Sequence, residues 1–338
     1  SMELLEFQVV GYCFESNSSC LKEVRSPAVY VVMYISAVAV VMLTVCGNLV
    51  VIISISHFKQ LHTPTNFLML SLAVADFLVG AVVMPFYLIL LIETCWYFGE
   101  TFCILYNVSV FFLTSVSVSN VACIAIDRYF AVCYPLLYSA KVTDNITASV
   151  ILLNWLLSLL YNLAFMYFNG NMGGAEKLNI CLGDCMLFIS KSWVIIDLLC
   201  TLILPCSIMI TLYFKIFIVA RKHARAISSV TEQMRSADGA NNNISTKSER
   251  KAAKTLGILV IVFLLCLVPY YISCLVLENV DRSSLVLCFL AWLLYFNSAI
   301  NPIIYALFYP WFQKSVKLIV KLKIFKIESS LINVFSKE

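Results

Sequence analysis

Seven apolar stretches, each about 20 residues or longer, constrain this chain more than anything else in it. They lie at about 30–56, 66–92, 103–130, 146–168, 192–217, 253–278 and 285–308. As a helix rising 1.5 Å per residue, each crosses the roughly 30 Å of a bilayer's hydrocarbon. With no water there, every backbone amide must find its partner within its own segment, which leaves a helical bundle. Composition agrees, with 62% apolar and only 12% charged residues, where a soluble domain has about 25% charged. The fold class expected is an all-α membrane protein, a seven-transmembrane helix bundle with a C-terminal interfacial helix. Residues 1–29 form a segment outside the membrane, 30–308 the bundle, and 309–338 an amphipathic helix and cytoplasmic tail.

An odd number of spans puts the termini on opposite sides. Eighteen of the 23 Lys and Arg fall on one side: Lys59, Arg128, Lys141, the Lys215–Lys254 stretch and the tail from Lys314 to Lys337. Lys22, Arg25, Lys177, Lys191 and Arg282 fall on the other. Positive residues stay inside, so the tail is expected in the cytoplasm and the N-terminus outside. The formal charge of +4 is thus explained by topology and gives no reason to invoke nucleic acid. Residues 1–27 carry Glu3, Glu6, Glu15 and Glu23 and no apolar signal-peptide core, so the first span is expected to serve as insertion signal. Ser228–Arg250, with Gly239 and Asn241–Asn243, reads as a polar loop. Past the seventh span, Trp311, Phe312, Val316, Leu318, Ile319 and Val320 alternate with Lys314, Lys317, Lys321 and Lys323, as in a helix lying on lipid.

Six of the fourteen cysteines, Cys13, Cys20, Cys95, Cys103, Cys181 and Cys185, lie outside or at the outer edge, where disulfides persist. A Cys20–Cys181 bridge would tie the N-terminal segment over the mouth of the bundle, with Cys13–Cys181 the competing pairing. Asn17-Ser18-Ser19 is an outward N-glycosylation acceptor.

Ionisable residues deep in a membrane are costly and mark function. Asp76 and Asp197 are such acids, and Asp127-Arg128-Tyr129 closes the third span with an acid beside a base. Enzyme chemistry finds no support: His57, His62 and His223 are all on the cytoplasmic side, there is no H-E-x-x-H, and the deep acids sit on separate helices. No lysine lies between Arg282 and Lys314, so a retinal Schiff base in the seventh span is excluded. The absence of an internal repeat speaks against a transporter built from duplicated halves.

Gly47-Asn48, Leu72-Ala73-Val74-Ala75-Asp76, Asp127-Arg128-Tyr129, Trp155, Pro205, Pro269 and Asn301-Pro302-Ile303-Ile304-Tyr305 occur one span after another. Together they resemble the rhodopsin-like G-protein-coupled receptors. The run Asn297–Phe312, with His57–Asn66 and Cys95-Trp96-Tyr97-Phe98-Gly99-Glu100, is similar to the trace amine-associated receptors. That resemblance implies a plasma-membrane receptor for small-molecule amines, coupled to a heterotrimeric G protein of the stimulatory type that raises cyclic AMP in an olfactory neuron. It implies a Cys103–Cys185 bridge. It requires no cofactor, but implies a sodium ion as allosteric modulator, held by Asp76, Ser117, Asn297, Ser298 and Asn301; a carboxylate among neutral oxygens suits a hard cation. Arg128 would exchange Asp127 and Glu249 for the G protein while Tyr213 and Tyr305 move inward, and Val118, Pro205 and Phe263 would relay the change.

The match has departures. The third-span position that carries an ammonium-binding aspartate in amine receptors, 18 residues before Arg128, is Val110. Asp197, eight residues before Pro205 and about 12 Å further outward on a straight helix, offers an acid from the opposite wall, as in a subset of the family. Its expected neighbours are Tyr106, Asn107, Val110, Phe111, Thr114, Thr201, Tyr270, Tyr271, Cys274, Trp292 and Tyr295, whose aromatic faces suit an ammonium. The alternatives are a structural Asp197 bonded to Thr201, Ser192 or lid backbone, or a neutral one facing a polar non-amine ligand. Leu267 stands where many relatives have a tryptophan. No cysteine follows the interfacial helix, leaving its lysines to hold it to anionic lipid.

Overall fold

The computed structural model describes residues 10–169, 181–185, 190–233, 257–269, 272–273, 285–325 and 329–335. Five helices there have membrane-crossing length, Pro27–His57, Pro64–Glu93, Glu100–Cys133, Asp144–Phe168 and Ser192–Val219, the first to fifth spans. Gly257–Pro269 supplies the described part of the sixth and Leu285–Phe308 the seventh, giving the expected all-α seven-helix bundle. The second, third and fourth helices begin two or three residues before their apolar stretches, because their first turns carry the polar residues Thr65, Asn66, Glu100, Thr101, Asp144 and Asn145. Pro27 and Pro64 stand in the first turn, and the Thr63 and Thr143 hydroxyls accept from the amides of Asn66 and Ile146. At its far end the fifth helix runs on to Gln233. Residues 228–233, expected as loop, are therefore helix: extending a helix costs far less than nucleating one.

The third span packs against the second, fourth and fifth and forms the centre of the bundle. Two spans are not straight. Val79–Val83 and Leu198–Ile203 are widened π turns, each just ahead of a proline, Pro85 and Pro205. A proline ring collides with the carbonyl four residues back. Those carbonyls belong to Ala81 and Thr201, both inside the widened turns, so the extra residue gives the ring room. Elsewhere the packing is tight enough to need glycine: a Cβ on Gly47 would sit 2.9 Å from Pro302 Cβ, and one on Gly80 2.8 Å from Thr44 Cγ2.

A small lid covers one end. Val10–Tyr12 and Leu21–Glu23 pair as antiparallel strands β1 and β2. The bend between them bonds to the loop before the fifth span, Cys20 N to Leu182 O at 2.9 Å and Leu182 N to Ser18 O at 2.7 Å. Cys20–Cys181 and Cys103–Cys185 are both present, and so is a bridge the sequence reading lacked, Cys13–Cys95. Gly183 lies against it at φ +107, where a Cβ would come within 2.7 Å of Cys13 Cβ. Arg25 donates to the carbonyls of Leu91 and Ile92, neutralising the end of the second span.

Two apolar clusters fill the interior. Near the lid, Met84, Leu88, Ile92, Trp96, Tyr106 and Tyr295 pack around the Cys103–Cys185 bridge. Near the basic face, Ile55, Phe58, Leu72, Ile124, Phe263, Tyr305 and Phe312 pack together. The interfacial helix Pro310–Val320 lies beside the second cluster, with Trp311 and Phe312 buried in it.

Candidate functional site

Between the clusters lies a polar layer centred on Asp76, which is fully buried. Ser298 Oγ donates to Asp76 Oδ1 at 2.8 Å, Ser117 Oγ to the same oxygen at 3.3 Å, and Asn301 Nδ2 to Oδ2 at 2.7 Å. A buried carboxylate tolerates its position only when its lone pairs are satisfied in this way. Asn48 Nδ2 bridges the first and seventh spans through Thr44 O and Ser298 O. Asn48 Oδ1 and Asn297 Oδ1 are buried acceptors with no hydrogen-bond partner among the described residues. Of the five residues expected around a cation, Ser117, Ser298 and Asn301 meet at Asp76, while Asn297 lines the adjoining cavity with Ser117 and Ser298.

On the lid side of this layer a narrow cavity with about 20 Å³ of free space, enough for a water or two, runs between the third, sixth and seventh spans. Val110, Thr114 and Tyr295 line it as expected, together with Ser117, Asn297 and Ser298 from the polar layer, Val118 and Phe263 of the expected relay, and Leu267. Trp292 packs beside Tyr295's cluster.

Other expected wall residues are not in the lining. Tyr106 is buried against Trp96, ring centres 5.2 Å apart. The Asn107 amide is taken up by Cys103 O at 2.9 Å and by both sulfurs of the Cys103–Cys185 bridge at 3.3 Å. Phe111 meets Phe165 of the fourth span, and Thr201 Oγ1 donates to the Asp197 carbonyl at 2.6 Å. Asp197 is not in that lining either; it is buried, and its Oδ1 accepts from Tyr161 OH of the fourth span at 3.0 Å. Among the described residues no ion pair reaches Asp197. Tyr161 was missed because a hydroxyl amid an apolar span carries no signal in sequence. Tyr270, Tyr271, Cys274 and Glu249 lie outside the described residues.

At the lid rim Glu93 is already occupied. Lys22 Nζ bonds Glu93 Oε2 at 2.7 Å and Tyr97 OH at 3.2 Å, while Tyr34 OH donates to Oε1 at 2.5 Å. The bond to Glu93 pushes the Lys22 ammonium's pKa well up. Asn17 is exposed, whereas Ser19 of the same triplet is buried and accepts from Phe14 N at 2.8 Å.

At the basic end, Asp127 Oδ2 receives Arg128 Nη2 at 2.7 Å, Nε at 3.0 Å and Thr65 Oγ1 at 2.7 Å. Tyr138 OH donates to the other oxygen at 2.7 Å, and Arg128 Nη2 also bonds Thr65 Oγ1. Burial raises the Tyr138 hydroxyl's pKa, keeping it a donor. Tyr129 lies beside Phe130 and Tyr134, with Lys215 over its ring. The hydroxyls of Tyr213 and Tyr305 are buried without a partner, and Pro302 packs on Gly47. Thr65 and Tyr138 are additions to the expected set.

The family model for the 7 transmembrane receptor (rhodopsin family) matches residues 47–305. Among curated proteins, trace amine-associated receptor 13c of Danio rerio is 44% identical over 98% of this chain and 98% of its own length. Trace amine-associated receptor 7a of Rattus norvegicus is 41% identical over 99% of this chain and 95% of its own. Trace amine-associated receptor 9 of Mus musculus is 43% identical over 96% and 95%.

Proposed function

Because this chain belongs to the rhodopsin family of seven-transmembrane receptors, and within it to the trace amine-associated receptors, we propose that it is an amine receptor of the plasma membrane. Its lid faces outside and its basic end faces a heterotrimeric G protein of the stimulatory type, so that amine binding raises cyclic AMP, in an olfactory neuron. Asn17, exposed on the lid side, carries the glycan.

The observation that carries the reading is a buried carboxylate that no cation among the described residues pairs with. Asp197 is buried, its described side-chain partners are the neutral hydroxyls of Tyr161 and Thr201, and Val110 puts no acid at the third-span position 18 residues before Arg128. Burying a charge with so little compensation is unfavourable, and an ammonium supplies what is missing. The chain therefore falls in the subset whose ammonium anchor is on the fifth span. Tyr161 holds Asp197 from the side of the fourth span until the ligand arrives.

Asp76 suits a sodium ion. The Ser117 and Ser298 hydroxyls spend their hydrogens on the carboxylate, leaving oxygen lone pairs, and the unpartnered Asn297 Oδ1 borders the same cavity. Such an all-oxygen set favours a hard cation, which when bound would hold the third and seventh spans together. Arg128, released from Asp127 and Thr65, meets the G protein.

A second reading keeps Asp197 structural, paired with Tyr161 and serving a non-amine ligand. Cyclic AMP responses to primary, tertiary and diamines, with surface expression matched, separate the two. The amine reading expects Asp197→Asn to lose the response and Tyr161→Phe to keep it with altered potency. Equal responses from wild type and Asp197→Asn would favour the structural role.

A further inference from the structure

Beyond the interfacial helix the chain does not trail away. Lys321 N donates to Lys317 O and Leu322 N to Ile319 O, closing the helix, and Leu322 itself stands at φ 52. That left-handed cap position ordinarily belongs to glycine, because a Cβ is disfavoured there. A leucine is nevertheless used, and its side chain is 66% exposed. A 3-10 turn, Lys323–Phe325, follows, and a second, Ser329–Leu331, brings the chain back to the loop after the first span.

Two bonds pin it there. Ser329 Oγ donates its one hydrogen to Ile324 O at 2.6 Å, so at 3.0 Å it accepts from His57 Nε2. Val334 N donates to Gln60 Oε1 at 3.2 Å. Ser329 and Val334 are buried, and Val334 joins the cluster of Phe58, Leu61, Trp311 and Phe312. His57 is the last residue of the first span. The pins therefore fix the returning segment at the depth where that helix leaves the hydrocarbon.

The surface so placed is apolar and basic together. Val320, Leu322, Phe325, Leu331 and Phe335 are all more than half exposed, with Lys321 and Lys323 between them. A water-facing tail has no reason to place a strained leucine outward; a lipid-facing one does. The sequence has no cysteine beyond Cys288, so no S-acyl chain attaches to this segment.

We propose that Val320–Phe325 and Ser329–Phe335 form a peptide anchor in the cytoplasmic leaflet, with Leu322 and Phe325 among the acyl chains and Lys321 and Lys323 on anionic headgroups. The loop after the first span is its rigid mount. The leaflet assignment rests on the topology proposed above, whereas lipid contact does not depend on the amine reading.

Hydrogen exchange of the full-length receptor tests this in nanodiscs of phosphatidylcholine, in nanodiscs of phosphatidylcholine mixed with phosphatidylserine, and in detergent. Amides of residues 320–325 are expected to exchange about tenfold more slowly with the anionic lipid than with phosphatidylcholine alone. Leu322→Gly, which keeps the left-handed cap, combined with Phe325→Ser should abolish that difference while the thermal midpoint in detergent stays unchanged. Protection equal in all three media, or unchanged in the double variant, would overturn the anchor and leave a tail folded on protein alone. Because exchange needs no ligand, loss of the amine reading does not disturb the result.

Discussion

Single residues carry the chemistry here because each deep polar group must justify its burial. Asp76 takes three donors, from Ser117, Ser298 and Asn301. If a sodium ion completes that layer in the resting receptor, replacing sodium with choline should raise agonist affinity about 5–10-fold in wild type. Radioligand competition on Asp76→Asn should show no such shift. Asp127 restrains Arg128 with help from Thr65 and Tyr138. Asp127→Asn is therefore expected to raise basal cyclic AMP severalfold per surface receptor. Tyr138→Phe, which removes one hydrogen bond worth about 1 kcal/mol, should raise it less; basal signalling at wild-type level in both variants would show that Arg128 is held by something else. These positions were legible in the sequence because an acid in an apolar span is conspicuous. Tyr161, Thr65 and Tyr138 were not, since hydroxyl and phenol groups are common at helix surfaces and only the fold reveals what they face.

At the level of elements, the spans could be read from their length and apolarity, but their shape could not. Pro85 and Pro205 foretell disturbed helices; whether the relief is a kink or an extra residue depends on neighbours far away in the chain. On the fifth span that extra residue falls between Asp197, which Tyr161 bonds, and Pro205, so a straight-helix count between the two does not hold. Close contacts between spans give a sharper prediction. A methyl on Gly47 would meet Pro302 Cβ at 2.9 Å, and one on Gly80 would meet Thr44 Cγ2 at 2.8 Å. Proline in a helix cannot step aside as a long side chain can, so Gly47→Ala should destabilise by about 1–3 kcal/mol. Gly80→Ala should cost less, because a threonine side chain can shift. Thermal midpoints of the purified variants check the order, and a Gly47→Ala midpoint equal to wild type would refute it.

The whole molecule is organised as two apolar clusters with a polar layer between them, and one narrow cavity touches Val110 and Tyr295 on one side and Ser117, Asn297 and Phe263 on the other. Leu267 borders that cavity, so a change in its occupancy reaches the sixth span through an aliphatic side chain. The lid was only partly legible. Cys20–Cys181 was one of two pairings left open, and Cys13–Cys95 went unseen, because connectivity depends on which strands come together rather than on spacing. The three bridges are expected to contribute unequally. Cys13→Ser with Cys95→Ser should lower stability by about 2–4 kcal/mol and loosen β1 without loss of surface expression. Cys103→Ser with Cys185→Ser, which also frees the Asn107 amide, should deplete the surface pool; flow cytometry with a thermal-shift assay distinguishes the two.

The knitted lid also sets a timetable for biosynthesis. With the lid outside, as proposed, Cys13 and Cys20 reach the oxidising compartment first, seven residues apart, before their partners exist. Cys181 follows Cys20 by 161 residues, which at about 5–20 residues per second means roughly 10–30 s of further synthesis. Until Cys95 and Cys181 arrive, 82 and 161 residues later, the two early thiols must stay reduced, be capped, or pair wrongly with each other and later be reshuffled by an isomerase. The Cys20–Cys181 bridge therefore records that the fourth span and the loop beyond it have already been delivered across the membrane, before the fifth span is made.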